Sequence, residues 1–178
     1  SVDWKVVALF RRPAYAALSS YFHHHHDNWE RSPQQFRNWL NNPMAKSDRP
    51  WPTQDNRLTD NIYVRWLCGE GCAGGAINEI RFQRAVSRLH QISYVLITEE
   101  FDSHDKCRMQ KLGWTRLSTH REGGAPISGT NNHAAEEALY ASVKAQLDGL
   151  LSWDTRLYEM AKVIAHEQRV RDNVETPC

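Results

Sequence analysis

A short, uninterrupted apolar run near the start of the chain constrains its fold more than any other feature. Residues 6–10 are all apolar, a pattern typical of a strand that is buried on both faces in a parallel sheet. Arg11-Arg12-Pro13 follows, and residues 14–21 predict a helix with Pro13 in its first position, where a proline loses no hydrogen bond. Residues 94–97 form a second run of the buried type. The sequence therefore predicts an α/β fold in which a parallel sheet is flanked by helices.

Length and charge narrow the class of protein. The chain has 178 residues, enough for one sizeable core, so we expect residues 1–178 to form a single domain. Lys plus Arg number 22 against 21 Asp plus Glu, and this balance excludes a bulk attraction to nucleic acid or to an anionic membrane. We therefore expect no nucleic-acid partner. No apolar run approaches the roughly 20 residues that cross a bilayer, so the chain as given is predicted to be soluble.

Further helices are predicted from apolar spacing and from the residues that begin and end helices. Ser32-Pro33 is typical of a helix start, whereas Gly69 and Gly113 are typical of helix ends. The predicted helices cover residues 34–40, 60–67, 77–90 and 101–112, and the region 134–165 divides into two helices around residues 149–153. Residues 43–57 and 118–133 are predicted loops.

The four cysteines leave the redox state open. Cys68 and Cys72 are separated by Gly-Glu-Gly, whereas Cys107 and Cys178 have no close cysteine neighbour. The close pair would either form a small disulfide in an oxidising compartment or supply half of a metal site. A zinc site needs a second close Cys or His pair, which the sequence does not offer at suitable spacing. We therefore favour a disulfide or free buried thiols, and no metal.

The turn after the first predicted strand is a candidate phosphate site. Open α/β sheets bind phosphates where a buried strand ends and a helix begins. Arg11 would present its planar guanidinium fork to the phosphate. A hydroxyl of Ser19 or Ser20, on the helix face turned back toward the strand, would donate to the same phosphate. An ion pair at the protein surface remains the alternative for Arg11.

The same segment resembles one found in sulfotransferases that use 3′-phosphoadenosine 5′-phosphosulfate. Leu9-Phe10-Arg11-Arg12-Pro13, with Ser19-Ser20-Tyr21 on the helix, is similar to the strand-Arg-Asp-Pro-helix-Ser-x-Tyr segment of that family. There the arginine and the serine eight residues later bind the nucleotide 3′-phosphate, which implies this role for Arg11 and Ser19. Arg12 stands where the family has an aspartate, a departure that adds a positive charge and keeps both phosphate ligands.

Three more segments follow in the order found in the membrane-anchored carbohydrate branch of the family. They resemble an Asn-x-x-x-Arg-x-Leu-Cys-Gly helix, a strand-Thr-Glu-x-Phe segment that ends in Leu-Gly-Trp, and a closing Asp-x-x-Leu-Tyr-x-x-Ala helix. The matching residues begin at Asn61, Thr98 and Asp154, and the second segment ends at Leu112-Gly113-Trp114. Each motif alone is weak, so the resemblance depends on their order and spacing over residues 4–165.

The resemblance implies an enzyme, a carbohydrate sulfotransferase with a P-loop-like fold of which this chain is a C-terminal portion. Its activity would be the transfer of a sulfuryl group from 3′-phosphoadenosine 5′-phosphosulfate to a hydroxyl of a glycan acceptor, with no metal. The family binds the 5′-phosphosulfate in a Gly-rich loop upstream of the 3′-phosphate strand, and only residues 1–3 precede Trp4. We therefore expect that loop and the catalytic base to lie upstream of a truncated domain that is inactive alone.

The same resemblance implies a cellular location. The intact protein would be a type II membrane protein of the Golgi lumen, with its anchor N-terminal to this chain. Its cysteines would then pair.

Two other classes of function remain open. One is a non-catalytic binding module that retains the sulfotransferase fold. The other is a different nucleotide-dependent transferase with a similar strand-Arg-helix arrangement. A Gly-rich loop with Lys or Arg upstream of this chain would favour the enzyme over the module, and the ordered set of four segments argues against the convergent transferase.

Several further residues are candidates with a structural alternative. Arg65 would support the site or the acceptor, or else pair with a neighbouring carboxylate. His23 belongs to a run of four histidines that a helix would spread around its circumference, so it lines the acceptor cleft or lies at a solvated helix end. Arg121 is in a polar loop where relatives place a mobile basic segment, or is an ordinary loop residue. Glu99 and Glu100 end a buried strand, where at least one would cap the next helix.

Overall fold

The sheet predicted from the two apolar runs is present, as a parallel pair of strands, but the first run is not buried on both faces, because Val6 and Leu9 are each 54% exposed. The computed structural model describes residues 4–24, 33–41, 60–72, 74–114 and 132–173. Strand β1 (Val7–Phe10) pairs with β2 (Tyr94–Ile97), with Val7 opposite Tyr94 and Phe10 opposite Ile97. The helices are α1 (Pro13–His24), α2 (Pro33–Asn41), α3 (Ile62–Cys68), α4 (Glu79–Leu89), α5 (Lys106–Lys111), α6 (Asn132–Leu150) and α7 (Ser152–Arg171). The described part is mostly helical and is compatible with the predicted α/β class.

Most predicted boundaries agree with the structure to within two or three residues, and capping residues explain several of them. Asn78 begins α4 because its side chain accepts the N–H of Arg81 at 3.0 Å. Gly69 follows α3 and Gly113 follows α5, both at positive φ, 83° and 88°, which ends a helix at little cost only for glycine. The predicted loop 43–57 lies outside the described residues, as does most of the loop 118–133.

The helix predicted over residues 101–112 is present, but its first half is a π-helical turn and not an α-helix. A 3₁₀ turn (Thr98–Glu100) and a π-helical turn (Phe101–Asp105) precede the short α5. The Asp105 carboxylate accepts the N–H of Ile97 at 2.8 Å, and Arg108 donates to the carbonyl of Val95 at 3.3 Å. These side chains face β2 and replace a neighbouring strand, a constraint that apolar spacing does not reveal.

The outer edge of β2 is closed by side chains. Besides Asp105, the side-chain oxygen of Gln168 accepts the N–H of Val95 at 2.8 Å, and its amide nitrogen donates to Ile92 at 3.0 Å. Arg108 links this edge to the end of α7 through an ion pair with Asp172, at 2.7 Å. Since the backbone donors of this edge are used, no further strand is expected to pair there.

Two apolar clusters organise the described residues. The first surrounds the sheet and draws on α3, α4 and α7, and the second joins α1, α2 and α6. In α1 the second cluster buries Ala14, Ala17 and Leu18, which leaves the next residue, Ser19, exposed. Among the described helices, none is both long and apolar enough to cross a bilayer.

The first turns of α3 and α7 cap each other. The Asn61 side-chain oxygen accepts the N–H groups of Trp153 and Asp154, at 3.1 and 3.0 Å. The Asp154 carboxylate accepts the N–H groups of Tyr63 and Val64, at 3.1 and 2.9 Å. Asn61 has a left-handed backbone, with φ 53°, and Asp154 is buried, which raises its pKa to about 7 against the opposing effect of its N–H donors. Two residues that carry the family resemblance are therefore helix caps.

The disulfide alternative for the close cysteine pair is confirmed. Cys68 and Cys72 are joined, with their Cα atoms 5.7 Å apart, and both are buried. No cysteine in the described ranges is a free thiol. The bridge closes the turn between α3 and the glycine-containing segment that leads to α4.

Candidate functional site

The carboxyl ends of β1 and β2 meet at one edge of the sheet, because the strands are parallel. Arg11 and Arg12 leave β1 at this edge and lead into α1, and Glu99 follows β2. Arg11 is partly buried, and within the described part of the chain its guanidinium group forms no hydrogen bond or ion pair. The surface ion pair considered for Arg11 is therefore not formed with any described residue.

Tyr63 fixes the backbone of the turn. Its hydroxyl donates to the carbonyl of Arg11 at 3.0 Å and accepts the N–H of the same residue at 3.2 Å. The Tyr63 ring lies edge-on against Phe10, with the ring centroids 5.3 Å apart. Burial raises the pKa of Tyr63 to about 12, so the hydroxyl remains protonated and able to donate at neutral pH. The position from which the Arg11 side chain departs is thus set by α3.

Glu99 fixes the other side of the turn. Its carboxylate accepts the N–H of Arg12 at 2.8 Å and the hydroxyl proton of Tyr158 at 2.9 Å. Burial, followed by the bond to Glu99, raises the pKa of Tyr158. A cap on the segment after β2 was predicted for Glu99 or Glu100, and neither supplies it. Glu99 binds the start of α1, and Glu100 pairs with Arg169.

Ser19 lies in the second turn of α1. Six residues separate it from Pro13, or about 9 Å along the helix axis at 1.5 Å per residue. Its side chain is exposed and forms no hydrogen bond within the described residues. Both predicted phosphate ligands therefore have unused donors, on the unit formed by β1 and α1. The side chain of Ser20, the alternative hydroxyl, lies outside the described part.

The local charge at the turn is mixed. Arg11 and Arg12 contribute two positive charges, and Glu99 contributes one negative charge. The Arg12 guanidinium lies over the Tyr15 ring, 5.2 Å from its centroid, and the Tyr15 hydroxyl bonds to Glu137. A phosphate fits the charge and the free donors of this turn, although Glu99 opposes it.

Arg65 is a structural residue. It is 5% exposed and pairs with Asp60 at 2.8 Å, the alternative considered for it from the sequence. Its other donors bind the carbonyls of Asp60, Cys72 and Gly75, at 2.8, 2.7 and 2.9 Å. Since four of its five N–H groups are used in this way, Arg65 supports the disulfide turn.

The remaining candidates are less informative. His23 lies in α1, but its side chain is outside the described part, as is the whole of Arg121. The described ranges contain no group of three or more side chains that would hold a metal ion.

The residues that sequence reasoning missed are Tyr63 and Tyr158, whose partners lie 52 and 59 positions away along the chain. No local pattern signals such pairings.

No known protein family matches this chain, and neither does any curated protein or solved structure. The sulfotransferase resemblance therefore depends on the motifs in the sequence.

Proposed function

We propose that this chain is the part of a carbohydrate sulfotransferase that binds the nucleotide 3′-phosphate, within a P-loop-like sulfotransferase fold. One observation carries the proposal: Arg11 directly follows the partly exposed strand β1, immediately before a helix, with a guanidinium group that is engaged by no described residue. Strand ends of this kind are where α/β proteins bind phosphates.

When bound, 3′-phosphoadenosine 5′-phosphosulfate supplies the sulfuryl group that passes to a hydroxyl of the glycan acceptor. Arg11 donates to the 3′-phosphate through its guanidinium fork, a bond strengthened by charge, and Ser19 donates its hydroxyl proton to the same group. Tyr63 holds the Arg11 backbone in place, so little backbone freedom is lost when the nucleotide binds. The resemblance to sulfotransferases assigns the 5′-phosphosulfate loop and the catalytic base to sequence outside this chain.

The proposed location is the Golgi lumen, with a membrane anchor N-terminal to this chain. The disulfide between Cys68 and Cys72 supports an oxidising compartment, because such bonds are rare where thiols are kept reduced.

A second candidate is a non-catalytic module that retains this fold. Glu99 favours it, because its carboxylate already occupies the N–H of Arg12 at the start of α1. Helix N-termini bind phosphates through such backbone donors, so a carboxylate at this position weakens anion binding.

Calorimetric titration of adenosine 3′,5′-bisphosphate into the chain tests the enzyme proposal. We expect weak binding that Arg11→Ala reduces by about ten- to a hundredfold, since a hydrogen bond to a charged group contributes about 1.5–3 kcal/mol. Adding Ser19→Ala should abolish the remaining signal. Adenosine 5′-monophosphate, which lacks the 3′-phosphate, should bind no better to the wild type than to the double variant.

Arg171→Ala is the matched control, because Arg171 is an exposed arginine outside the unit formed by β1 and α1, with 64% of its side chain accessible. Equal losses in the Arg11 and Arg171 variants would overturn the proposed site. If a folded chain shows no binding, the same titration with the upstream-extended protein decides between the enzyme and the module, because only the enzyme gains the missing loop.

A further inference from the structure

Three arginines lie along one face of α4. Arg81, Arg84 and Arg88, called here the α4 arginine row, are spaced by three and four residues, which places them on the same side of a helix. The opposite side of α4 is apolar and buried, through Phe82, Ala85, Val86 and Leu89. The row therefore faces away from the core, toward the segment that connects α3 to α4.

Two members of the row are fixed by backbone carbonyls of that segment. Arg81 donates to Gly74 at 2.6 Å and to Ala76 at 2.9 Å. Arg88 donates to Leu67 at 2.9 Å. Each of these bonds uses one terminal nitrogen of the guanidinium group, so each arginine retains further N–H donors.

Glycines make this close approach possible. A Cβ on Gly75 would lie 3.3 Å from a terminal nitrogen of Arg81, and a Cβ on Gly71 would lie 3.2 Å from one of Arg84. Such distances are shorter than ordinary van der Waals contacts between these atoms. The guanidinium groups of Arg81 and Arg84 therefore lie against backbone that has no side chain to keep them away.

The positive charge of the row is not neutralised by carboxylates of the described residues. Arg65, beneath the same segment, pairs with Asp60, whereas none of the three arginines of the row forms an ion pair within the described ranges. Glu70 is the one acidic residue between Leu67 and Asn78. Arg84, moreover, donates no hydrogen bond to any described residue. The three positive charges of the row and the single negative charge of Glu70 together create a positive surface potential over this segment.

We propose that the α4 arginine row binds a linear sulfated glycan at a site separate from the Arg11 turn. Seven residues separate Arg81 from Arg88, or about 10 Å along the helix at 1.5 Å per residue, so one small anion does not reach both ends. A chain that carries repeated anionic groups does. Sulfate groups accept the two parallel N–H bonds of a guanidinium fork.

The disulfide favours a glycan over a nucleic acid as the polyanion. Cys68 and Cys72 are bonded within the segment that the row contacts, and disulfides persist in oxidising, extracytoplasmic compartments. Sulfated glycans are the abundant linear polyanions there. The inference does not depend on sulfuryl transfer, because neither Arg11 nor Ser19 takes part in it.

The test is a titration of a heparin hexasaccharide into the full chain at several salt concentrations. Arg84→Ala should weaken binding by about tenfold, the loss expected for one hydrogen bond to a charged group, and should reduce the salt dependence. Because Arg84 bonds to no described residue, its removal should leave the melting temperature unchanged.

Arg171→Ala serves again as the matched charge control and should bind like the wild type. The site is overturned if Arg84→Ala binds the hexasaccharide as tightly as the wild type, or if Arg171→Ala loses as much affinity. A fully desulfated hexasaccharide that binds equally well would overturn the role of sulfate. A single-stranded oligonucleotide of equal charge that binds as tightly or more tightly would overturn the assignment to glycans.

Titrating each variant with the ligand of the other site distinguishes the two sites. The Arg11→Ala, Ser19→Ala double variant should bind the hexasaccharide like the wild type, and Arg84→Ala should leave the binding of adenosine 3′,5′-bisphosphate unchanged. Loss of hexasaccharide binding in the double variant would place the glycan at the Arg11 turn and would overturn a separate site on α4.

Discussion

Two regions of this molecule differ in how far protein side chains bind the polar groups at the N-terminus of a helix. Where α3 meets α7, the first N–H groups of each helix are bound by a side chain from the other, through Asn61 and Asp154. At the start of α1, Glu99 binds the N–H of Arg12, and the neighbouring guanidinium group of Arg11 and hydroxyl of Ser19 are bound by no described residue. In the first region the side chains of Asn61 and Asp154 are used in capping, whereas in the second the side chains of Arg11 and Ser19 are bound by no described residue.

This comparison shows that a residue that matches a family motif either stabilises the fold or has a side chain that a ligand could bind. Asn61, Arg65 and Asp154 contribute to the resemblance to sulfotransferases, yet each is committed to holding backbone groups of this chain. Arg11 and Ser19 contribute to the same resemblance, and their side chains are bound by no described residue. Candidate functional residues are therefore those whose polar groups form no hydrogen bond within the fold.

The largest effect that would sharpen this contrast is expected at Asn61. Asn61→Ala removes the acceptor for two N–H groups and replaces asparagine, which tolerates a left-handed backbone, with a residue that rarely adopts one, for which we expect a loss of about 4 kcal/mol in the free energy of unfolding. Asn61→Gly loses the same bonds without the backbone cost and should be more stable than the alanine variant by about 1 kcal/mol. Urea denaturation measures both. Equal stability of the two variants would contradict the role assigned to the left-handed backbone.

The second largest loss of stability is expected for substitution of Asp154. At pH 5, Asp154→Ala leaves the buried N–H groups of Tyr63 and Val64 without an acceptor, and we expect a loss of about 3 kcal/mol in the free energy of unfolding. The exposed Asp148→Ala, which removes a surface ion pair with Lys144, is the control and should cost less than about 1 kcal/mol. A loss at Asp154 no greater than at Asp148 would refute the reciprocal capping.

A pH dependence is the next smaller effect. The pKa of Asp154 is about 7 in the folded chain and about 4 in an unfolded one, so the folded chain binds the proton more tightly. The stabilisation associated with the neutral carboxyl is complete below about pH 4 and is lost as the pH rises to about 7.

The unfolding free energy of the wild type should therefore fall, relative to that of Asp154→Asn, by at least about 1 kcal/mol between pH 5 and pH 7.5, since one pKa unit corresponds to 1.36 kcal/mol. Urea denaturation across this range measures the difference. Asp105, whose pKa burial also raises, is present in both proteins and should not alter the comparison. Parallel pH profiles would contradict the raised pKa of Asp154.

The smallest expected effect is at the open turn. Glu99→Gln removes a negative charge beside the proposed phosphate, and we expect the affinity for adenosine 3′,5′-bisphosphate to rise about threefold, the effect of one unit charge at about 6 Å in water. Calorimetry measures the change. Glu159→Gln, at an exposed carboxylate paired with Lys162, should leave the affinity unchanged. An unchanged or lower affinity in the Glu99 variant would move the phosphate away from this turn.

Much of the fold could be predicted from the sequence because it depends on local patterns. The apolar runs located both strands, β2 with its observed bounds, and glycines located the ends of α3 and α5. The disulfide was one of two alternatives for closely spaced cysteines. By contrast, the sequence did not predict the π-helical first half of the helix over residues 101–112, or the bonds of Asp105 and Arg108 to the edge of β2. Local sequence patterns do not indicate hydrogen bonds from a side chain to the edge of a strand.

The candidate site was only partly accessible from the sequence. The strand end, Arg11 and Ser19 were identified because they lie within one local unit. The roles of Tyr63, Glu99 and Tyr158 were not, since each depends on a partner at least 52 positions away. Arg65 had two predicted roles of equal weight, and its burial against Asp60 and the disulfide turn distinguished them.

The exchange of caps between α3 and α7 has a consequence for how the chain folds. Asn61 and Asp154 are separated by 93 positions, so neither helix can obtain its cap from its own neighbourhood while the other is absent. Opening one helix start exposes the other, and the two therefore gain and lose their first turns together. Contacts between residues this far apart in the chain slow folding. They also make the beginning of α3 and the beginning of α7 a single cooperative unit, whose amides exchange with solvent only when both open.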